Sequence, residues 1–399
     1  MEEDYFSNYT DYEYDVDDDC FFNFSDYGNS AEPRSWGCFY WDELLPALVV
    51  YSLTLLLGVV GNVLIVFTTC RYRRMKTPTN VFLSSLACAD LLLIIICIPV
   101  KVAKLFSYTW EMGFFLCKSV HYLQNMVAIC SVLTLTAISV ERYYAIVHPM
   151  KAKYICTISQ AKKIILSTWV ASVLLAMPTL HIQVHMEVGH YFKAYYCSLD
   201  YDNRPHLQLY MVYMLFLIFI IPTTVMLVTY STICWEIRQV MKQRHHMVSG
   251  QAILRPENIP LASKPQNGNT TTILPPQDDK GSNVRQVIKM LVLIVVVFVV
   301  CWAPILILDV LTAFQVLEEY STGFLKHVRT TFHLMSYFNS CVNPIIYGFM
   351  SKNFRESFQK ALSRCCRQHL RRQLSVSQSR GTSIRFRDRS TVVTQITSN

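Results

Sequence analysis

The apolar residues of this chain come in blocks of about 20 or more, the length a helix needs to cross a hydrocarbon layer. The blocks lie near 44–70, 80–105, 115–140, 162–183, 208–234, 286–313 and 325–349. Continuous runs predict helices, because membrane barrel strands alternate in polarity over about ten residues. Only 16% of the residues are charged, against roughly a quarter in soluble proteins. Seven crossings therefore account for the 399 residues better than two or three soluble domains would. Pro99, Pro178, Pro222, Pro304 and Pro344 fall inside these runs. Membrane helices tolerate proline where neighbouring helices, hydroxyl side chains or water satisfy the freed carbonyl.

The loops set the orientation. "RYRRMK" (Arg71 to Lys76) follows the first run, and Lys151, Lys153, Lys162 and Lys163 lie between the third and fourth. Arg238, Lys242, Arg244, Arg285 and Lys289 flank the loop between the fifth and sixth, and "SKNFRESFQKALSRCCR" follows the seventh. All fall on one face, which the excess of Lys and Arg predicts to be cytoplasmic. The chain is thus expected in the plasma membrane with its N-terminus outside. Residues 1–43 form an acidic, disordered outer segment, and 44–350 the bundle, with a flexible cytoplasmic loop at 240–284. Residues 351–364 form an amphipathic helix and 365–399 a tail. Met1 to Glu43 holds no apolar signal-peptide core, so the first span is expected to start insertion itself. The basic tail suits anionic inner-leaflet lipid, and no nucleic-acid motif is present.

Four of the fourteen cysteines, Cys20, Cys38, Cys117 and Cys197, fall on the oxidising outer side. They allow three pairings. Joining Cys117 to Cys197 would pin a long loop over the bundle and leave Cys20 with Cys38. Asn8 in "NYT" and Asn23 in "NFS" are glycosylation acceptors on the outer side. Tyr5, Tyr9, Tyr12, Tyr14 and Tyr27 stand beside carboxylates, a context for sulfation or a simple solvating arm. Either form attracts a cationic partner. In "KNFRESFQKAL", Phe354, Phe358 and Leu362 recur every four residues, an interfacial stripe. Cys365 and Cys366 at its end suit palmitoylation.

Polar groups inside a span are costly and mark function. Asn62, Asp90, Ser131, Asn339, Ser340 and Asn343 are expected at similar depth. Together they make either an oxygen-rich sodium site or a hydrated hydrogen-bond network. Another feature is the adjacent pair Glu141 and Arg142, placed where a long uncharged run ends. On position alone they form an interfacial ion pair.

"GN" (Gly61–Asn62), "LACAD" (Leu86–Asp90), Cys117 with Cys197, "ERY" (Glu141–Tyr143), Trp169, Pro222 with Tyr230, "FVVCWAP" (Phe298–Pro304) and "NPIIY" (Asn343–Tyr347) follow in order along the helices. Together they resemble the rhodopsin-like (class A) G-protein-coupled receptors from about residue 44 to 364. The resemblance implies an all-α seven-transmembrane bundle with a short cytoplasmic eighth helix. It implies that Arg142 pairs with Glu141 at rest and helps receive a Gα subunit when released, with Tyr143 completing the motif. Tyr230 and Tyr347 would then stabilise the open state. Phe298, Trp302 and the Pro304 kink would sense ligand, and Asn343 with Pro344 would shape span seven. Implied partners are a heterotrimeric G protein, and arrestin and receptor kinases at the Ser/Thr-rich tail.

Gln124 stands where aminergic receptors carry aspartate, and span seven has no lysine where opsins hold retinal. The loop before span five is long and rich in Tyr and His, and resemblance to peptide receptors implies a β-hairpin there with an open vestibule. Tyr122, Gln124 and Asn125 are expected on its floor and His333 and Tyr337 on its wall. Asp309 points to a basic group on the ligand, and Lys101 and Lys104 to an acidic one. "ERYYAIVHPMKAKYICTISQAKKII" is similar to receptors for thyrotropin-releasing hormone and cholecystokinin. "YLQN" and "NPIIYGFMSKNFRESF" are similar to receptors for RFamide-type neuropeptides. A neuropeptide receptor is the expected function. A chemokine-like receptor is the alternative, suggested by the acidic, tyrosine-rich N-terminus. A seven-helix transporter fits less well, since no internal repeat is visible. No nucleophile or metal motif suggests an enzyme.

Overall fold

The computed structural model describes residues 41–107, 109–188, 193–253, 279–317 and 324–363. Asn8, Asn23, Cys20, Cys38, the five N-terminal tyrosines, Cys365 and Cys366 lie outside them. The expected all-α bundle forms. Span one is Trp41–Arg71, span two Pro78–Leu105, span three Gly113–Val147 and span four Ile158–Ile182. Span five is Arg204–Gln243, span six Asp279–Ala313 and span seven Phe324–Met350. Among the described residues, the first six spans contain stretches long and apolar enough to cross a membrane. Span seven is more polar, yet its 27 residues reach about 40 Å at 1.5 Å per residue. It packs chiefly between spans one and six.

Helix ends follow capping chemistry more than hydropathy. The Thr77 hydroxyl accepts from the Asn80 amide at 3.3 Å, with Pro78 as the first helical residue of span two. Thr157 does the same for the Gln160 amide at the start of span four. Both satisfy amides that a helix start leaves unpaired. Span three accordingly runs past the apolar block to Val147. The segment 240–284, expected as a flexible loop, is helical at both ends: span five continues to Ile253 and span six starts at Asp279.

Proline leaves its mark where expected. Span two loosens into a π-type stretch at Leu93–Cys97 just before Pro99, and span five does so at Leu215–Ile220 just before Pro222. The ring of each proline would meet the carbonyl four residues back, and a locally widened turn relieves that clash. In span seven Pro344 cannot donate to the Ser340 carbonyl. The Asn62 amide of span one donates to that carbonyl instead, at 2.9 Å. Many hydroxyls inside the bundle, such as Thr68 and Ser139, donate to carbonyls four residues back and so stay satisfied without water.

Between spans four and five the chain forms the expected hairpin. Strand β1 (Gln183–Val188) pairs antiparallel with β2 (Ala194–Leu199), His185 opposite Cys197. A disulfide joins Cys117 at the start of span three to Cys197, with their Cα atoms 5.7 Å apart. Trp110 packs on it and donates its amide to the Tyr195 carbonyl at 2.6 Å. Gly113 begins span three at φ +77, a conformation that glycine adopts without strain. At the end of the hairpin where β1 leads into β2, the Lys193 ammonium lies 2.6 Å from Glu187 and holds that exposed carboxyl below its usual range.

Candidate functional site

The bundle presents different chemistry at its two ends and polar groups between them. At the hairpin end a cavity of about 280 Å³ opens beneath β2, close to the lower limit of ordinary ligand pockets. Gln124 and Asn125 lie on it as expected, as do Lys104, His333 and Asp309. His121 and Arg329 also line it, and neither was singled out from sequence. Their signal was there: a basic residue inside an apolar span is costly unless it faces a polar space.

The expected floor needs correction at Tyr122. Its hydroxyl donates to the Val173 carbonyl of span four at 2.9 Å, away from the cavity. On a helix residues two apart, such as Tyr122 and Gln124, point to different sides, so the two cannot share one face. Tyr337 lies below the cavity. It is buried, its hydroxyl donates to Gln124 Oε1 at 2.7 Å, and its ring meets Tyr51 edge-on. It therefore ties spans one, three and seven together and leaves the Gln124 NH2 for the cavity. Asn125 is likewise engaged, donating to the Tyr210 hydroxyl at 3.0 Å and the Thr179 hydroxyl at 3.3 Å. Lys101 does not line the cavity, but stands within electrostatic reach of Lys104, His121 and His333.

Span six leads downward from this cavity. Asp309 and Leu306 line it, and Trp302 lies one turn below Leu306. The Trp302 ring stacks on Phe298 at 6.1 Å, and its indole N–H is buried without a partner. At mid-depth, Asn343 donates to the Asp90 carboxylate at 3.0 Å, and the Ser340 side chain faces the same carboxylate. Ser131 and Asn339 are buried as well. The Asn62 carbonyl oxygen is buried and unpaired. Among the described residues, no Lys or Arg pairs with Asp90.

At the other end Arg142 grips Glu141 with two donors, Nε and Nη2, each at 2.6 Å. Adjacent helical residues do not normally face each other. Here Thr79 of span two makes the pairing possible. Its hydroxyl donates to Glu141 Oε2 at 3.1 Å and also accepts from Arg142. This clamp ties spans two and three together at that end. Tyr230 faces Ser139 and Arg142. The Tyr347 hydroxyl is buried without a partner, and its ring stacks on Phe354 at 5.5 Å. The stripe in the terminal helix therefore does not lie wholly on a membrane surface: Phe354 packs under span seven, while Leu362 is exposed. Burial of Cys156 and the Glu141 charge nearby raise its thiol above the ordinary range.

Residues 61–347 match the family described as 7 transmembrane receptor (rhodopsin family). Among curated relatives, the chain is 31% identical to the pyroglutamylated RF-amide peptide receptor of Rattus norvegicus, over 79% of this chain and 69% of that one. It is 32% identical to the QRFP-like peptide receptor of Branchiostoma floridae, over 82% and 80%. It is 31% identical to the cholecystokinin receptor of Xenopus laevis, over 80% and 77%.

Proposed function

This chain belongs to the rhodopsin family of seven-transmembrane receptors, and we propose that it binds an extracellular neuropeptide at its hairpin end and opens its Arg142 end to a heterotrimeric G protein. The hairpin end then faces outside the plasma membrane. One observation carries the ligand class: a mixed-charge, polar cavity beneath a hairpin that a disulfide ties to span three. Peptides carry charges and amides along their whole length that such a wall can match. Relatives named as peptide receptors support the same reading.

The mechanism uses groups already placed. A ligand touching Leu306 and Asp309 acts on span six directly above Trp302. The unpaired Trp302 and Tyr347 polar atoms gain nothing in the closed bundle and stand ready to bond in another arrangement. Outward movement of span six is then a shift between two populations, biased by whatever binds one of them better. Once Arg142 leaves Glu141, its guanidinium can receive the incoming Gα segment, with Tyr230 beside it. Coupling is reciprocal, so the G protein tightens ligand binding. Asn8 and Asn23 carry glycans in this reading, Cys365 and Cys366 palmitate, and the tail meets lipid, kinases and arrestin.

The test is a calcium readout in cells expressing the full chain with a promiscuous Gα. Amidated and free-acid neuropeptides and chemokines are applied beside an Arg142→Ala control of equal surface abundance. A peptide response that the control loses supports the proposal. A response only to chemokines overturns it.

The mid-depth site also fits a sodium ion. Asp90 would supply the compensating charge, the Ser340 and Asn343 side chains face it, and Ser131, Asn339 and the unpaired Asn62 oxygen are further buried oxygens that could serve as ligands. A buried carboxylate is costly without a counter-charge, which the ion would supply. Purified receptor is expected to melt higher in sodium chloride than in choline chloride of equal strength, and Asp90→Asn to show no difference. An equal shift in the variant would remove the ion from this site.

A further inference from the structure

The charge on the inserted end of the ligand can be read from the cavity, given the peptide reading above. Lys101 and Lys104 are three residues apart and so share one face of span two. Lys104 lines the cavity, with His121 and His333 across from it. Neither lysine forms a salt bridge among the described residues. Among the described residues, the one acid that lines the cavity is Asp309, and Arg329 of span seven lines it too, within electrostatic reach of that carboxyl. That arginine is held there by a 2.6 Å hydrogen bond to Thr312 of span six. The basic group that Asp309 seemed to require of a ligand is thus supplied by the chain. The demand of the lysines is not. Among the described lining residues Lys104 and Arg329 outnumber Asp309, so that lining is net positive, with Lys101 within electrostatic reach of it.

We infer that this cavity takes a peptide end bearing a free carboxylate, not an amidated one. A carboxylate accepts a charge-assisted bond from the Lys104 ammonium, with the Lys101 charge within reach behind it. A terminal amide cancels no charge. This sets the chain apart from the relative named for an RF-amide peptide, although the two share their fold.

The experiment uses the purified full chain and two small probes, N-acetyl-leucine and N-acetyl-leucinamide, at millimolar concentration. The acid is expected to raise the melting temperature in a saturable way and the amide to leave it unchanged. Lys101→Gln/Lys104→Gln should weaken the response to the acid about tenfold or more, the loss of a charged hydrogen bond. Lys104→Arg, which keeps the charge and controls for folding, should retain it. Equal shifts from both probes, no shift from the acid, or an undiminished shift in the double variant would each overturn the inference. In the cell screen, every peptide is supplied as acid and as amide. Signalling by amides alone sinks the carboxylate inference and leaves the peptide reading standing. Silence to all peptides sinks the peptide reading, while the melting experiment still decides the carboxylate.

Discussion

Glu141→Gln and Thr79→Val should each raise signalling in the absence of ligand. Each change removes one of the groups that keep Arg142 in place. Glu141→Gln takes away the charge that Arg142 holds with two donors. Thr79→Val leaves the charges intact and removes the hydroxyl that bridges them, in a side chain of nearly the same shape. A hydrogen bond to a charged group is worth about 1.5–3 kcal/mol, so the open population should grow roughly tenfold or more. Basal second-messenger level, normalised to surface receptor, measures it. The Thr79 variant is the sharper probe, because Thr79 carries no charge of its own. If it stays silent while Glu141→Gln becomes active, the clamp is a two-residue ion pair and span two has no part in it.

Gly61→Val should be among the most damaging single changes in the bundle, and Gly58→Ala, one turn away, should be tolerated. A Cβ at Gly61 would lie 2.5 and 2.7 Å from two ring carbons of Pro344. The pyrrolidine ring is part of the span seven backbone and has no rotamer to escape into, so the helices must separate. A Cβ at Gly58 would come within 2.4 Å of Ile94 Cδ1, the far end of a side chain that can turn away. Overpacking of this kind costs about 1–3 kcal/mol. Separation also pulls Asn62 from the Ser340 carbonyl, and leaving that buried acceptor bare costs about 1–3 kcal/mol more. Asn62→Leu should therefore reproduce part of the Gly61→Val loss without any clash. Thermal inactivation in detergent ranks the three. Equal tolerance of Val at 61 and Ala at 58 would mean that the contact between spans one and seven is looser than drawn here.

Much of the site was legible before any coordinates. Asp90, Asn343 and the Glu141–Arg142 pair are polar groups in apolar stretches, and the cost of placing them there announces them. Asp309, Lys104 and His333 were found on the same grounds and do share one cavity. Arg329 and His121 carried the same signal but lie in spans already rich in polar residues, where one more is easily passed over. Thr79 had no signal at all. A threonine near a helix start reads as a cap, and only the approach of span two to span three turns it into a bridge between two charges.

The sequence by itself determined the number of crossings and their approximate extent. Those follow from hydrophobic length and local chain chemistry, which act residue by residue along the backbone. Only the tertiary structure decided that Tyr122 turns to span four, that Phe354 lies under Tyr347, that Asn62 completes the bond Pro344 forfeits, and that Arg329 answers Asp309. Each depends on which helix stands beside which, and at what rotation. A membrane-spanning sequence specifies that weakly, because a lipid-facing side of a helix and a helix-facing side can be equally apolar.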